Sequence, residues 1–216
     1  MITAVLTTCG RQEYTRQTCE SFLHHNRSGF RLFYADDASD DNLRKMVEGY
    51  GFQPLLLSDR QQGVNKLASA TVQKLQGDDL VLWLQNDWLS VRPINLAMVE
   101  ELFAREEIGT LRLYGQYKGR DKSLSCLRYF MGDKRKRPVV WKEEVIEGNA
   151  LQIGRLHWGY PPAITRKKLL CNVLIGCRGA GGPEMSSQRY PFLTARVVDN
   201  VVVHIGARRT PHFHRD

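Results

Sequence analysis

The sequence predicts an α/β protein in which helices cover both faces of a mostly parallel sheet. Short apolar segments alternate with amphipathic ones over the first 90 residues, which is typical of strand–helix–strand units with right-handed crossovers. The segment 81–88 is almost continuously apolar before it reaches Gln85, Asn86 and Asp87, as expected of a central strand buried on both faces. At 216 residues the chain is long enough for one well-buried domain and short for two.

Each element is predicted from its own apolar pattern and from the residues that end it. Gly51 and Gly77 end two of the helices, because glycine most easily takes the left-handed conformation of a C-cap. The basic and aromatic segment 115–147 predicts loops with one short strand, and the glycine-rich segment 176–184 predicts a loop. We predict strands at 2–7, 30–35, 53–57, within 81–88, at 110–114 and at 195–205, and helices at 14–26, 42–50, 63–76, 93–105 and from 166.

The composition is that of an ordinary soluble globular protein, with 42% hydrophobic and 25% charged residues. No apolar segment approaches the roughly 20 residues of a membrane span. The first residues lack the basic segment of a secretory signal peptide and predict a strand instead. The five cysteines form no CxxC pair, which favours a reducing compartment over a disulfide framework or a zinc site. We therefore expect a cytoplasmic protein.

The net charge of +8 favours an anionic partner. Nucleic acid, a nucleotide diphosphate and a lipid surface all qualify, so the charge does not choose among them. The densest basic segment, 134–137, lies in a predicted loop. A solvated loop explains this segment, and so does contact with an acidic acceptor or with phosphates at the cytoplasmic face of a membrane.

Acidic residues follow two of the predicted strands. Asp36 and Asp37 come after one strand, and Asn86 and Asp87 come after the segment that begins at residue 81. Open α/β sheets bind ligands beyond the carboxyl ends of their strands, where carboxylates suit a hard metal ion or a polyol. Alternatively, these side chains only cap the turns and helices that follow. Neither GxGxxG after the first strand nor GxxxxGK[ST] anywhere occurs, so the glycine-rich dinucleotide and P-loop sites are not predicted.

Three motifs, in order, resemble those of family 2-like nucleotide-sugar glycosyltransferases of the GT-A fold. The segment 7–11 (TTCGR) is similar to the first-strand motif of that family. The segment 36–40 (DDASD) is similar to its Asp-Asp-Gly-Ser-x-Asp motif, with Ala38 in place of glycine. The segment 85–87 (QND) occupies the position of its DxD motif. The spacing fits up to about residue 90 and more loosely as far as His204.

The resemblance implies one GT-A-like (Rossmann-like) domain over residues 1–216. Its nucleotide-binding half is residues 1–90, and a loop-rich acceptor-side half is residues 91–216. The implied activity is inverting transfer of a sugar from a nucleotide-diphosphate donor, most simply a UDP-sugar, to a hydroxyl group of a glycan or another acceptor. A divalent cation would neutralise the diphosphate that leaves.

The resemblance also implies a set of donor and metal contacts. Asp87 is the implied metal ligand, and His204, in the His-x-Gly segment, joins it; a strand-end histidine bonded to backbone is the alternative. A carboxylate with a neutral imidazole favours Mn²⁺ over Mg²⁺. Asn86 stands where many relatives have a carboxylate, which predicts a lower metal affinity. His212 and His214 in the basic tail are further candidates. The implied donor contacts are Thr7, Arg11, Asp36, Asp37, Lys66 and Asn86, with a solvated helix face as the alternative for Lys66.

The acceptor side is implied by residues of the second half. Glu184 follows the glycine-rich segment and matches a family carboxylate that deprotonates the acceptor hydroxyl, with ordinary surface exposure as the alternative. Trp158 and Tyr160 would form an aromatic platform for a sugar ring, although core packing explains them too.

Two other functions remain open from the sequence. A sugar-1-phosphate nucleotidyltransferase shares this fold, but the segment 8–11 is short and poor in glycine for the phosphate loop of that class. A basic nucleic-acid-binding module would explain the charge. Because the acidic strand ends would repel a polyanion, we expect no nucleic acid partner.

Overall fold

The structure is a computed structural model, and it describes residues 1–77, 79–114, 140–155, 162–175 and 190–205. The strands are β1 (Ile2–Thr8), β2 (Phe30–Asp37), β3 (Gln53–Ser58), β4 (Leu80–Gln85), β5 (Trp88–Ser90), β6 (Ile108–Arg112), β7 (Trp141–Ile146), β8 (Asn149–Gly154), β9 (Ala163–Arg166), β10 (Leu193–Val197) and β11 (Val202–His204). The helices are α1 (Gln12–His25), α2 (Asp41–Gly49), α3 (Val64–Lys74), α4 (Leu96–Phe103) and α5 (Lys167–Ile175).

Nine of these strands form one sheet, in the order β3-β2-β1-β4-β9-β6-β10-β8-β7. The strands β3, β2, β1 and β4 pair in parallel. The strand β9 lies antiparallel between β4 and β6, and β10 returns parallel to β6. A hairpin of β7 and β8 completes the sheet by antiparallel pairing with β10. The predicted mostly parallel central sheet is confirmed.

Helices cover both faces of this sheet, and β4 contributes to the core on each side. Leu82 and Leu84 belong to one hydrophobic cluster with α1, α2 and α4, whereas Val81 and Trp83 belong to a second cluster with α3 and α5. All four side chains are buried. Because successive strand residues point to opposite faces, an apolar strand of this kind requires a cover on both sides.

The second half of the chain differs most from the prediction. The single strand predicted at 195–205 is two strands, because the polar residues Asp199 and Asn200 interrupt it. The second of these, β11, leaves the large sheet and pairs antiparallel with β5. The strands β8 and β9 were not predicted, since their short segments carry no clear alternation of apolar and polar residues.

Helix boundaries shift by a few residues. The helix predicted at 93–105 begins at Leu96, because Asn95 caps it by accepting a hydrogen bond from the Met98 backbone N–H over 3.1 Å. Leu96 is exposed, whereas Val99 and Leu102 are buried. Across the described ranges no helix is both long and apolar enough to cross a membrane.

Candidate functional site

The carboxyl ends of β1, β2 and β4 lie side by side. In the parallel register Thr8 of β1 is level with Asp36 of β2, and Thr7 is level with Gln85 of β4. The segments that follow these strands therefore meet at one edge of the sheet. This is the edge at which the sequence predicts a ligand site.

Asp87 lies at the centre of this edge and binds two cationic or potentially cationic groups. The Arg11 Nη1 donates to Asp87 Oδ2 over 3.0 Å, and the His204 Nε2 lies 3.3 Å from the same oxygen. The three side chains are partly accessible, with exposed fractions of 25% for Arg11, 16% for Asp87 and 29% for His204. We call these three residues the Asp87 cluster; the structure brings together all three of its sequence-predicted members.

Pairing of β11 with β5 delivers His204 to this cluster. His204 is level with Trp88, the ring centroids of the two residues are 5.1 Å apart, and the Ile205 backbone N–H donates to the Asp87 carbonyl over 2.9 Å. Trp88 packs in turn on Tyr114, with 5.3 Å between ring centroids. The imidazole is thus placed by a two-stranded sheet and an aromatic contact, so its position beside Asp87 is fixed by the fold.

Asn86 faces the beginning of α1. Its Nδ2 donates to Thr15 Oγ1 over 3.1 Å and to the Gly10 carbonyl over 3.3 Å, and the residue is buried. Thr7 is also turned inward, because its hydroxyl donates to the Leu84 carbonyl over 3.1 Å. In this conformation both side chains hold strand ends together, and their contact with a donor stays a prediction.

Asp36 is fully buried, with an exposed fraction of 0%. Its Oδ1 accepts from the Thr8 hydroxyl over 2.6 Å. Its Oδ2 accepts from the Ser39 backbone N–H over 2.9 Å and from Arg44 Nε over 3.0 Å. In this conformation the carboxylate has no accessible surface and binds the loop after β2 and α2, and its nucleotide contact stays a prediction.

Asp37 points to the opposite face of β2, towards α3. Its two oxygens accept hydrogen bonds from the backbone N–H groups of Gln62, over 2.7 Å, and Gly63, over 2.9 Å. Gly63 is the N-cap of α3 and has a positive φ of 85°. Asp37 thus fixes the segment that leads into α3. This contact agrees with the alternative in which these acids cap the turns and helices that follow their strands.

Ala38 follows with a φ of 64°, the left-handed conformation that glycine adopts at lower cost. The loop therefore keeps the backbone geometry for which the resembling motif has glycine. The Ser39 side chain accepts from the Gly10 backbone N–H over 2.9 Å, which joins this loop to the one after β1.

Three further residues, Arg44, Cys9 and Lys66, belong to the elements that form this edge. Arg44, which donates to both Asp36 and the Ser58 carbonyl, was missed because no motif marks it. Cys9 lies partly exposed between the loops, and burial together with the negative charge of Asp37 raises the pKa of its thiol. Lys66 is exposed in the first turn of α3.

Several predicted residues lie outside the described parts of the chain. These are the candidate base Glu184, the aromatic pair Trp158 and Tyr160, the basic segment 134–137, and the tail histidines His212 and His214. Their predicted roles rest on the sequence.

The Asp87 cluster offers two protein ligands to a divalent cation. No group of three His, Cys, Asp or Glu side chains suited to a metal occurs among the residues that the structure describes. Metal–ligand bonds of roughly 2.1–2.3 Å put two neighbouring ligands of an octahedral ion roughly 3.0–3.3 Å apart. The 3.3 Å between Asp87 Oδ2 and His204 Nε2 meets that requirement. The pair therefore fits a cation whose remaining ligands come from a substrate and water.

Comparison with known proteins finds similarity to solved structures and none to family models or curated sequences. No protein-family model matches the sequence, and no curated protein matches it significantly. Glucosyl-3-phosphoglycerate synthase from Mycobacterium tuberculosis, solved with Mn²⁺, UDP and phosphoglyceric acid, superposes with a TM-score of 0.61 at 15% identity over 98% of this chain and 72% of that chain. The chain has the GT-A fold.

Two more solved structures show the same likeness. The same M. tuberculosis enzyme with Mg²⁺ and UDP gives a TM-score of 0.60 at 16% identity, over 98% of this chain and 72% of that chain. The mannosyltransferase PcManGT from Pyrobaculum calidifontis, with GDP-Man and Mn²⁺, gives 0.51 at 14% identity, over 78% of this chain and 45% of that chain. At such identities the likeness establishes the fold, and the predicted GT-A-like α/β class is confirmed.

Proposed function

We propose that this protein is an inverting glycosyltransferase that moves a sugar from a nucleotide-diphosphate donor to a hydroxyl group of a glycan or another acceptor. A UDP-sugar is the first donor to test. The observation that carries the proposal is the Asp87 cluster, which combines a carboxylate, a guanidinium and an imidazole at the carboxyl ends of parallel strands in a GT-A fold. The solved structures of similar fold, with UDP or GDP-Man bound, support it.

The donor diphosphate is assigned to the space beside Arg11 and the beginning of α1. The guanidinium supplies planar donors that match phosphate oxygens. Arg11, the N-cap residue of α1, makes no side-chain cap hydrogen bond, and the first backbone N–H groups of a helix are suited to bind an anion. The net charge of +8 favours approach of the anionic donor.

The nucleoside is assigned to the neighbouring side of the same edge, next to Asp37 and Cys9. Asp37 holds the segment at 62–63, and the Gln61 side chain donates to Cys9 Sγ over 3.5 Å, so the loops after β1, β2 and β3 form one wall. Asp36 supports this wall from behind through Thr8 and Arg44. Lys66 is exposed in the first turn of the helix that this wall leads into.

Asp87 and His204 would hold the divalent cation, for which their mixed oxygen and nitrogen donors favour Mn²⁺. When bound, such a cation neutralises charge on the leaving diphosphate. Asp87 and Arg11 orient the diphosphate relative to the sheet edge. Trp88, which packs on Tyr114, contacts the imidazole of His204 and fixes its position.

The acceptor side of the proposal rests on sequence. Glu184 takes the proton of the attacking hydroxyl, and attack opposite the leaving diphosphate gives inversion. Trp158 and Tyr160 stack on the acceptor. A cytoplasmic location, with contact of the segment 134–137 to acidic lipids, belongs to the same proposal.

The proposal is tested by calorimetric titration of UDP and GDP with and without Mn²⁺, followed by hydrolysis assays with UDP-glucose, UDP-galactose and GDP-mannose. We expect UDP to bind more tightly with Mn²⁺ than without it, and one donor to be hydrolysed slowly in its presence. Failure of every nucleotide to bind, with or without Mn²⁺, would refute the proposed function.

A further inference from the structure

A single carboxylate oxygen serves both of the groups that meet in the Asp87 cluster. Arg11 Nη1 and His204 Nε2 both contact Asp87 Oδ2, at 3.0 Å and 3.3 Å. This oxygen is the atom that the proposed cation would bind. In this arrangement a guanidinium already neutralises the carboxylate proposed to bind the metal.

Arg11 is held differently from Arg44, which also lies at this edge. Arg44 donates from Nε to the fully buried Asp36 and from Nη2 to the Ser58 carbonyl, so two structural elements fix it. In the described part of the chain, the Arg11 side chain has one hydrogen bond, to Asp87, and it is 25% exposed. A partly exposed ion pair of this kind contributes little to stability, so a stronger anion can displace it.

The backbone of Arg11 is held by the beginning of α1, whereas its side chain is held by the contact with Asp87. Arg11 has φ 54° and ψ 52°, the left-handed conformation that residues with a side chain rarely adopt. Its carbonyl accepts the Thr15 backbone N–H over 3.0 Å, which anchors it as the first residue of the α1 ladder. The guanidinium thus extends from a held backbone position between β1 and α1, and its own side chain makes no cap hydrogen bond to the helix.

We propose that Arg11 blocks the metal site in the nucleotide-free protein and is transferred from Asp87 to the diphosphate when the nucleotide binds. A divalent cation and a guanidinium repel each other when they share one carboxylate oxygen, so the metal alone must first displace Arg11. A diphosphate offers Arg11 two oxygens in the planar arrangement that a guanidinium prefers. Nucleotide and metal then bind with positive coupling, part of which passes through Arg11.

This inference rests on the proposed function, and Mn²⁺ binding measured without nucleotide separates the two. Paramagnetic resonance of free Mn²⁺ gives its affinity for the wild-type protein and for Arg11→Gln. Removal of the competing guanidinium should tighten Mn²⁺ binding roughly two- to five-fold, the equivalent of one partly exposed ion pair. The same variant should bind UDP more weakly in the absence of metal, and the factor by which Mn²⁺ improves UDP binding should fall.

Two variants serve as controls. Arg16→Gln removes the same charge from the same helix, but Arg16 pairs with Glu13 and Glu20 on the exposed face, so its Mn²⁺ affinity should equal that of the wild type. Arg11→Lys keeps the charge without the fork of donors, so it should bind Mn²⁺ like the wild type and UDP more weakly. Matching circular dichroism spectra verify that all variants are folded.

The outcomes distinguish the inference from the proposed function. If the wild type binds UDP with Mn²⁺ but Arg11→Gln shows no gain in Mn²⁺ affinity without nucleotide, Arg11 does not block the metal site, and the glycosyltransferase proposal stands. If the wild type binds neither Mn²⁺ nor any nucleotide, both are refuted.

Discussion

Replacement of Asp36 by alanine tests whether this acid stabilises the fold or contacts a ligand. Asp36 belongs to a motif for which the family resemblance implies a nucleotide contact. The structure nevertheless buries the carboxylate completely and gives it three internal hydrogen-bond donors. The alanine variant leaves the Thr8 hydroxyl, the Ser39 N–H and the Arg44 guanidinium without their shared acceptor. We expect the main effect to be on the free energy of unfolding.

The expected decrease in the free energy of unfolding follows from these contacts. Loss of one member of a buried ion pair costs roughly 3–5 kcal/mol. The Arg44 side chain is 17% exposed and water can reach it. We therefore expect Asp36→Ala to lower the free energy of unfolding by about 3 kcal/mol. Asp36→Asn should cost less, about 1–2 kcal/mol, because its amide donates to the Thr8 hydroxyl while its oxygen still accepts from Ser39 and Arg44, and only the charge is lost.

Urea unfolding followed by circular dichroism measures these changes. With a slope of about 2–3 kcal/mol per molar urea, the midpoint of Asp36→Ala should fall by about 1 M or slightly more. Asp41→Asn is the matched control, since Asp41 faces the same Arg44 at 4.0 Å but has an exposed fraction of 85%. Its midpoint should not move measurably.

A small effect on stability would contradict this account. If Asp36→Ala unfolds at the same urea concentration as Asp41→Asn while UDP binding is lost, Asp36 is a ligand contact and its internal hydrogen bonds are secondary. A midpoint equal for Asp36→Asn and Asp36→Ala would show instead that the charge, and not the three hydrogen bonds, provides the stabilisation.

Three further predictions follow from the site. Asp87→Asn should abolish the Mn²⁺-dependent part of UDP binding, measured by calorimetry, while the urea midpoint changes little because its ion pairs are partly exposed; undiminished Mn²⁺ dependence would mean that the metal binds elsewhere. Glu184→Gln should lower the rate of transfer by roughly 10²- to 10⁴-fold and leave UDP affinity unchanged, as expected for a general base; full activity would exclude it from that role. Burial raises the pKa of Cys19 to about 12, so below that pH the thiol stays protonated and iodoacetamide should leave Cys19 unmodified in the native state, as checked by peptide mass mapping. The partly exposed Cys9 should react faster than Cys19 at alkaline pH, although burial also raises the pKa of its thiol, and UDP should slow that reaction; modification of Cys19 at the rate of Cys9 would contradict the packing of α1.

The first 90 residues were predictable because their determinants are local. Three local signals define β1 to β4 and the helices between them. They are the apolar strands, the glycines that end helices and the polar residues that end strands. Parallel pairing then places the strand ends together, so the edge that holds Asp87 and Arg11 follows from the chain order. The later strands were harder to predict, since β9 and β11 are short and pair with strands far along the chain, and β8 pairs with the distant β10 as well as with its neighbour β7.

The orientation of the acids was decided by the tertiary structure. Successive residues of β2 point to opposite faces, so adjacent acids of one motif have different surroundings: Asp36 meets Arg44 of α2, and Asp37 meets the segment before α3. No local pattern pairs Asp36 with Arg44, because that ion pair depends on how α2 packs on the sheet.

The sequence alone determined the α/β class, the parallel core and the presence of a carboxylate at the end of the central strand, since each depends on residues close together in the chain. The tertiary structure decided what that carboxylate binds. His204 reaches Asp87 across 117 residues through the pairing of β11 with β5, and Arg11 reaches it from the end of a neighbouring strand. Such contacts depend on strand order and on the closure of long loops, which the pattern of any single segment does not contain.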